Sequence, residues 1–223
     1  MGAIILAAGR GERLNGIAAP FMKPALLVNG QPLIVQQVRN ALEVTQSITL
    51  VLAPENARSM IDLVEHALPE LEWDFVQIVV QPRPRSVVDA LKRGLMMYGS
   101  DTIVLMGDNV VPPLTVRHMM DDYMALGLRP ELLVCTRQMP WQDAERFTYR
   151  SAGVWFEKEA AGAVDATEDA AEVWVGPLFI RSPDEMYAAL GDDESIGRTF
   201  NAFVNVQTWA GQCSDIGVPE ALQ

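Results

Sequence analysis

The sequence alternates short apolar runs with segments of helical periodicity, and this alternation limits the chain to a few fold classes. Strand-like runs cover residues 2–8, 47–53, 75–80 and 101–106. Between them, apolar residues recur every three or four positions, which predicts helices over residues 32–42, 56–68 and 86–98. Strands that alternate with helices of this length form βαβ units. We therefore predict an α/β fold with a mainly parallel sheet flanked by helices.

The second half of the chain has a different pattern. Residues 153–167 alternate around 160–162, which predicts a small β-hairpin. A further strand is predicted over residues 173–180, and helices over residues 183–190 and 196–203. No repeat or linker separates the halves, and 223 residues suit one domain.

Composition excludes several classes of partner. The formal charge of −12 argues against binding to a nucleic-acid backbone, which requires a basic face. No apolar stretch approaches the roughly 18–20 residues of a membrane span. Because the first residues lack the basic region of a secretory signal, we expect a cytoplasmic protein. The two cysteines, Cys135 and Cys213, are predicted to be thiols without a disulfide or a zinc ion.

A glycine turn follows the first predicted strand. Residues 6–14 read LAAGRGERL, and Gly9 and Gly11 allow backbone N–H groups to approach phosphate oxygens. Alone, such a turn is more often a plain strand-to-helix connection. Arg13 and Lys23 favour a phosphate site, because arginine binds phosphate oxygens with a fork and lysine acts as a point charge.

Two further polar residues follow predicted strands. Gln81 comes after the strand at 75–80, and Asp108 comes after the strand at 101–106. Ligands of parallel sheets bind at the carboxyl ends of the strands. The amide of Gln81 offers a donor and an acceptor, which suits the edge of uracil or thymine. The carboxylate of Asp108 is costly at a buried strand end unless it is solvated, hydrogen-bonded or bound to a metal.

These motifs together resemble the sugar-1-phosphate nucleotidyltransferase family. Residues 6–14 and 23–34 resemble its opening LAAGxGxRL…KPLLPVxGxPLI, and residues 80–91 resemble the VQPxPxGLAQA segment of glucose-1-phosphate thymidylyltransferases. Residues 105–109 resemble the family's LxGDN, and residues 209–220 its closing W…DxGTPE. The chain departs from the family pattern at Glu12, which replaces Thr or Ser, at Ser86, which replaces glycine, and at Val218, which replaces threonine.

The resemblance implies a single Rossmann-like nucleotidyltransferase domain. About residues 1–115 would bind the nucleotide, and about residues 116–223 the acceptor. Arg13 and Lys23 would be the catalytic residues that hold the triphosphate and steady the reacting phosphate. The implied nucleotide-binding residues are Ala7, Ala8, Gly9, Arg10, Gly11, Gln81, Ser86 and Gly107. The implied cofactor is Mg²⁺, held by Asp108 and Asp215 together with phosphates and water.

The acceptor half matches the family less well. Members carry a Glu-Lys pair that contacts the sugar phosphate, and Glu157-Lys158 falls inside the predicted hairpin. A register anchored on the glycines instead places Glu168-Asp169 there, which replaces the lysine with an acid. We favour this second register, which assigns Gly153, Glu168 and Gly176 to acceptor binding.

The implied function is transfer of a nucleotidyl group from a nucleoside triphosphate, with UTP or dTTP favoured, to a sugar 1-phosphate. A cytidylyl or guanylyl transferase acting on another phosphorylated acceptor is one alternative. A nucleotide-binding regulatory protein with weakened catalysis is another. A dinucleotide-dependent dehydrogenase is disfavoured because the glycine pattern does not match. Homo-oligomerisation stays open.

Overall fold

The computed structural model describes residues 1–9, 22–82, 86–126, 129–140, 147–151, 154–157, 170–191 and 196–215. The strands are β1 (Gly2–Ala7), β2 (Leu27–Val28), β3 (Gln31–Pro32), β4 (Ile48–Leu52), β5 (Val76–Val80), β6 (Thr102–Met106), β7 (Asn109–Val110), β8 (Leu132–Pro140), β9 (Phe147–Ser151), β10 (Val154–Glu157), β11 (Ala170–Ile180), β12 (Val206–Ala210) and β13 (Ser214–Asp215). The helices are α1 (Leu33–Leu42), α2 (Ala57–Ala67), α3 (Val87–Leu95), α4 (Thr115–Ala125), α5 (Pro183–Ala189) and α6 (Ile196–Thr199).

One large sheet organises the fold, in the strand order β12-β8-β11-β6-β1-β4-β5. Strands β6, β1, β4 and β5 are parallel neighbours, and β12 is parallel to β8. Strand β11 runs antiparallel to both β6 and β8. The pairs β13–β7 and β2–β3 form separate two-stranded sheets. The predicted α/β fold with a mainly parallel sheet flanked by helices is confirmed.

The elements predicted in the first half of the chain are all present, with ends that differ by a few residues. In the second half, the predicted strand at 173–180 starts earlier, as β11, and the two predicted helices correspond to α5 and to α6 with the 3₁₀ turn that follows it. Strand β10 pairs antiparallel with β9, which precedes it, and Trp155 lies opposite Val173. The predicted hairpin turn at 160–162 lies outside the described residues. Sequence reasoning did not assign α4, β8 or β12.

The sheet separates two apolar layers. Side chains of β1 alternate between them: Ala3, Ile5 and Ala7 belong to one buried cluster, and Ile4 and Leu6 to the other. Helices α1, α2 and α4 contribute to the first cluster, whereas α3, α5 and α6 contribute to the second. Both faces of β1 are therefore buried, as its uninterrupted apolar sequence predicts. Within the described residues, no helix has the length and apolar character needed to cross a bilayer.

Helix α3 lies against β1 at Gly94, where a Cβ would come within 2.5 Å of the Cγ2 atom of the buried Ile4. We expect Gly94→Ala to lower the free energy of unfolding by about 1–3 kcal/mol, because overpacking outweighs the better helix propensity of alanine. Urea denaturation measures the difference. The control is Gly99→Ala, where a Cβ would meet nothing within 4 Å and the change should stay within about 0.5 kcal/mol. Equal effects of the two substitutions would contradict this packing.

Candidate active site

The carboxyl ends of four parallel strands lie together at one edge of the sheet. The register places Leu6 opposite Met106 and Ala7 opposite Leu52, and Leu52 in turn opposite Val80. The segments that leave the strands here carry Gly9, Ala53, Gln81 and Asp108. This edge is where a parallel sheet binds its ligands, so the fold brings the separate sequence motifs to one place.

Gly107 connects β6 to Asp108 in direct contact with the end of β1. Its N–H donates to the carbonyl oxygen of Leu6 at 2.8 Å. A Cβ at this position would lie 2.9 Å from that oxygen and 2.8 Å from the Cβ of Ala7. Glycine is therefore required for backbone packing, and its predicted contact with a nucleotide stays a prediction.

Asn56 joins the ends of β1 and β4, and sequence reasoning did not identify this role. Its side chain is fully buried. The Oδ1 atom accepts a hydrogen bond from the Ala53 N–H at 2.9 Å, and Nδ2 donates to the Ala7 carbonyl oxygen at 2.8 Å. These bonds hold the start of the turn that leads to Gly9. An asparagine between a strand and a predicted helix is the signal that could have indicated it, because Asn side chains bond nearby backbone.

Lys23 and Asp108 form an ion pair at this edge. The Nζ atom of Lys23 lies 2.7 Å from Oδ2 of Asp108, and the two side chains are 11% and 33% exposed. Lys23 begins a 3₁₀ turn in which Pro24 is buried, so the turn is anchored in the protein. A cation therefore lies beside the carboxylate that follows the buried strand β6. The Lys-Pro and Gly-Asp-Asn motifs, distant in sequence, meet here.

The chain near its C-terminal end reaches the same edge through β13. Asp215 lies opposite Asn109 in the antiparallel pair β13–β7, so it is placed next to the position that follows Asp108. Among the described residues, no group of three or more His, Cys, Asp or Glu side chains forms a metal centre. Mg²⁺ needs only one or two carboxylates when substrate phosphates and water complete its shell, so the residue types at this edge suit the ion, and its binding by Asp108 and Asp215 stays a prediction.

Helix α1 supports the segment that follows Asp108. Gln37 donates from Nε2 to the Asn109 carbonyl oxygen at 2.5 Å, and Asn40 donates from Nδ2 to the Val111 carbonyl oxygen at 3.3 Å. Asn109 itself donates from Nδ2 to the Val175 carbonyl oxygen at 2.8 Å. The backbone of β7 is thus held between α1 and β11, which restricts where the carboxylate of Asp108 can lie.

Gln81 follows β5 and is only 1% exposed. Its backbone N–H donates to the Leu52 carbonyl oxygen at 2.8 Å. Its side-chain Nε2 donates to Oδ2 of Asp89 at 2.7 Å and lies 3.3 Å from the Ser86 carbonyl oxygen. Ser86 caps α3, since its Oγ accepts from the Asp89 N–H at 3.2 Å. Sequence reasoning missed Asp89, although Ser-x-x-Asp is the spacing of a capping motif.

Gly176 has a packing role. A Cβ there would lie 2.7 Å from the Sγ atom of Cys213 and 2.9 Å from that of Cys135. The two cysteines are buried free thiols with their sulfur atoms 3.6 Å apart, which agrees with the prediction that they form no disulfide. The hydrogen bond with Cys213, together with burial, raises the pKa of Cys135 well above its usual range. The predicted contact of Gly176 with an acceptor stays a prediction.

The remaining predicted site residues lie outside the described residues. They are Arg10, Gly11, Arg13, Gly153 and Glu168. The arginine of the glycine turn and the acidic residue of the acceptor half are therefore predictions from sequence alone.

The chain belongs to the nucleotidyl transferase family, whose model matches residues 2–153. No curated protein sequence matches the chain closely enough to indicate a relative.

Solved structures of nucleotidyltransferases share the fold over almost the whole chain. A UDP-glucose pyrophosphorylase complexed with UDP-glucose has a TM-score of 0.70 at 18% identity, over 99% of this chain and 95% of that one. A putative glucose-1-phosphate thymidylyltransferase from Bacillus anthracis has a TM-score of 0.73 at 18% identity, over 100% and 92%. An inositol-1-phosphate CTP transferase from T. maritima has a TM-score of 0.69 at 12% identity, over 100% and 91%. At these identities the likeness shows the fold.

We expect Asn56→Ala to destabilise the protein at the carboxyl edge of the sheet. The substitution leaves the Ala53 N–H and the Ala7 carbonyl oxygen without their buried partner, so we expect a loss of about 2–4 kcal/mol in the free energy of unfolding. Thermal or urea denaturation measures it. Asn40→Ala is the comparison, because Asn40 is also buried but donates one long bond away from β1. An Asn56 variant no less stable than the Asn40 variant would show that the connection is dispensable.

Proposed function

We propose that this protein transfers a nucleotidyl group from a nucleoside triphosphate, with UTP or dTTP favoured, to a sugar 1-phosphate, forming a nucleoside diphosphate sugar and pyrophosphate. The observation that carries the proposal is the contact between Lys23 and Asp108 at the carboxyl edge of the parallel strands. Family membership supports the class of reaction. Two of the similar structures are a UDP-glucose pyrophosphorylase and a putative glucose-1-phosphate thymidylyltransferase, which favours a sugar 1-phosphate as acceptor.

The reaction requires two anions to meet. An oxygen of the acceptor phosphate attacks the α-phosphorus of the triphosphate and forms a new P–O bond. The bond from the α-phosphorus to the oxygen that bridges to the β-phosphorus breaks, and pyrophosphate leaves with the electron pair. Little acid–base chemistry is needed, because the acceptor is already an anion near pH 7. The protein must orient the two phosphates and reduce their repulsion.

The residues at the strand ends suit these tasks. Lys23 would place its ammonium group against the α-phosphate and the attacking oxygen. Backbone N–H groups from Ala8 to Gly11 would bind the triphosphate, with Arg13 on the leaving pyrophosphate. Asn56 contributes indirectly, since it holds the Ala7 carbonyl oxygen and so directs the chain into this turn.

Asp108 and Asp215 would hold Mg²⁺, which supplies positive charge to the substrate phosphates when it is bound. The fold supports this assignment because β13 places Asp215 opposite Asn109, beside Asp108. The hydrogen bonds that α1 and β11 make with β7 keep Asp108 at this edge. Gly153, Glu168 and Gly176 complete the proposal as the acceptor side, and Gln81 as the reader of the base.

The reaction class is tested by pyrophosphate release. Each of UTP, dTTP, CTP, GTP and ATP is offered with glucose 1-phosphate, inositol 1-phosphate or a simpler phospho-alcohol in the presence of Mg²⁺. We expect release with UTP or dTTP and a sugar 1-phosphate. Turnover only with CTP or GTP, or only with a non-sugar acceptor, would favour the alternative transferase. Nucleotide binding without release in any combination would favour a regulatory protein.

Lys23→Met should lower kcat/KM for pyrophosphate release by about 100-fold or more, because a cation that stabilises the reacting phosphate is lost. Asp108→Asn should lower it similarly and should raise the Mg²⁺ concentration at half-maximal rate. Lys92→Met, on α3, removes the same charge away from the strand ends and should leave kcat/KM within about twofold. Full Mg²⁺-dependent turnover of the Asp108 variant would exclude the proposed metal ligand.

A further inference from the structure

We propose that Asp89 determines which nucleobases this protein accepts, by holding the amide of Gln81 so that only its carbonyl oxygen faces the base. A base would then be accepted when the ring nitrogen that it directs at this oxygen carries a hydrogen. This inference rests on the proposed function, because it takes Gln81 to be the base reader. It adds the direction of the hydrogen bond and the residue that imposes it.

The orientation of the amide follows from the chemistry of its neighbours. Oδ2 of Asp89 lies 2.7 Å from the Gln81 amide, and the Ser86 carbonyl oxygen lies 3.3 Å from it. Both atoms are acceptors, since neither an ionised carboxylate nor a carbonyl oxygen carries a hydrogen. If the amide were turned over, two oxygens would face each other at 2.7 Å without a hydrogen between them. The nitrogen must therefore face Asp89.

Neighbouring groups orient the carboxylate of Asp89 and favour its negative charge. The Nε atom of Arg93, one turn along α3, donates to the same Oδ2 at 3.1 Å. The backbone N–H of Asp89 donates to the capping Oγ of Ser86. Asp89 also lies in the first turn of α3, where the helix dipole favours a negative charge. These contacts orient the carboxylate and favour its ionised form, which is an acceptor.

The arrangement leaves one polar atom of Gln81 for a ligand. Nε2 has two protein acceptors, at 2.7 Å and 3.3 Å, and the carbonyl oxygen Oε1 accepts no hydrogen bond from any residue in the described part of the chain. Gln81 is 1% exposed, so little room surrounds this acceptor and a ligand group that reaches it must fit closely. A base that donates an N–H would satisfy it.

This geometry separates the pyrimidines. When ring N3 is directed at Oε1, uracil and thymine donate the hydrogen that N3 carries. The N3 atom of cytosine carries a lone pair, so two acceptors would then face each other. By the same criterion guanine, whose ring N1 carries a hydrogen, is accepted, and adenine, whose ring N1 carries a lone pair, is not. The sequence had suggested that Gln81 could use donor and acceptor together. The contacts with Asp89 and Ser86 instead leave it the acceptor alone.

The test measures binding of UTP, CTP and N3-methyl-UTP by calorimetry in the presence of Mg²⁺. We expect the wild-type protein to bind UTP at least about tenfold more tightly than either of the others, as is typical when a site's hydrogen bond to the base is lost. Asp89→Asn should reduce the ratio of UTP to CTP affinity at least about fivefold, because the asparagine can offer an N–H to Oε1 and let the Gln81 amide turn over.

Three further variants serve as controls for the effect of Asp89→Asn. Asp62→Asn makes the same change in an exposed (i,i+4) pair with Arg58 on α2, and should leave the ratio unchanged. Asp89→Glu keeps a carboxylate and should retain the preference for UTP. Gln81→Met removes the amide at similar length and should abolish the penalty of N3-methylation, which gives a second measurement if the Asp89→Asn variant does not fold.

The outcomes distinguish failure of the inference about Asp89 from failure of the proposed function. Equal wild-type affinities for UTP and N3-methyl-UTP, or an unchanged ratio in Asp89→Asn, would overturn the inference. Binding with the expected preference but without pyrophosphate release from any acceptor would refute the proposed transfer and leave the inference supported. Absence of binding to every nucleotide would overturn both.

Discussion

Parallel pairing of β1 with β4 on one side and β6 on the other determines where the described site candidates that follow these strands lie. Both pairings leave the strands in step at their carboxyl ends, with Leu6 opposite Met106 and Ala7 opposite Leu52. Apolar side chains bury both faces of β1, so the strand cannot shift by one residue without exchanging its two sets of neighbours. The polar segments that follow these strands are therefore brought to a common edge, and the core determines the geometry of the site without contributing a functional group to it.

Hydrogen bonds to backbone then refine this edge. Asn56 joins the ends of β1 and β4, and Gly107 permits contact between the ends of β1 and β6. Helix α1 holds β7 through Gln37 and Asn40. The Lys23–Asp108 pair adds the one described cation–carboxylate contact between the Lys-Pro and Gly-Asp-Asn motifs. The proposed transfer depends on position and charge, and these residues would supply both.

The first half of the fold could be predicted because its signals are local. Apolar periodicity is a property of neighbouring residues, and it located β1, β4, β5 and β6 with the helices between them. Strand β8 was missed because its apolar residues are followed by the polar residues Thr136–Gln138, where the strand continues beside β11. Helix α4 was missed although it buries Val116, Met119 and Tyr123. Its start follows Pro113 and Leu114 and is capped by the distant Glu43, which accepts from the Leu114 and Arg117 N–H groups, so no local capping residue marks it.

For the site, the sequence by itself determined the family, the order of the motifs and the residue types available for phosphate, base and metal. It could do so because these motifs are short and each keeps its spacing along the chain. Only the tertiary structure decided that Lys23 forms an ion pair with Asp108, that Asp215 lies opposite Asn109, and that the Gln81 amide nitrogen faces Asp89. Contacts of this kind depend on strand register and side-chain direction between distant segments, and no local pattern carries that information.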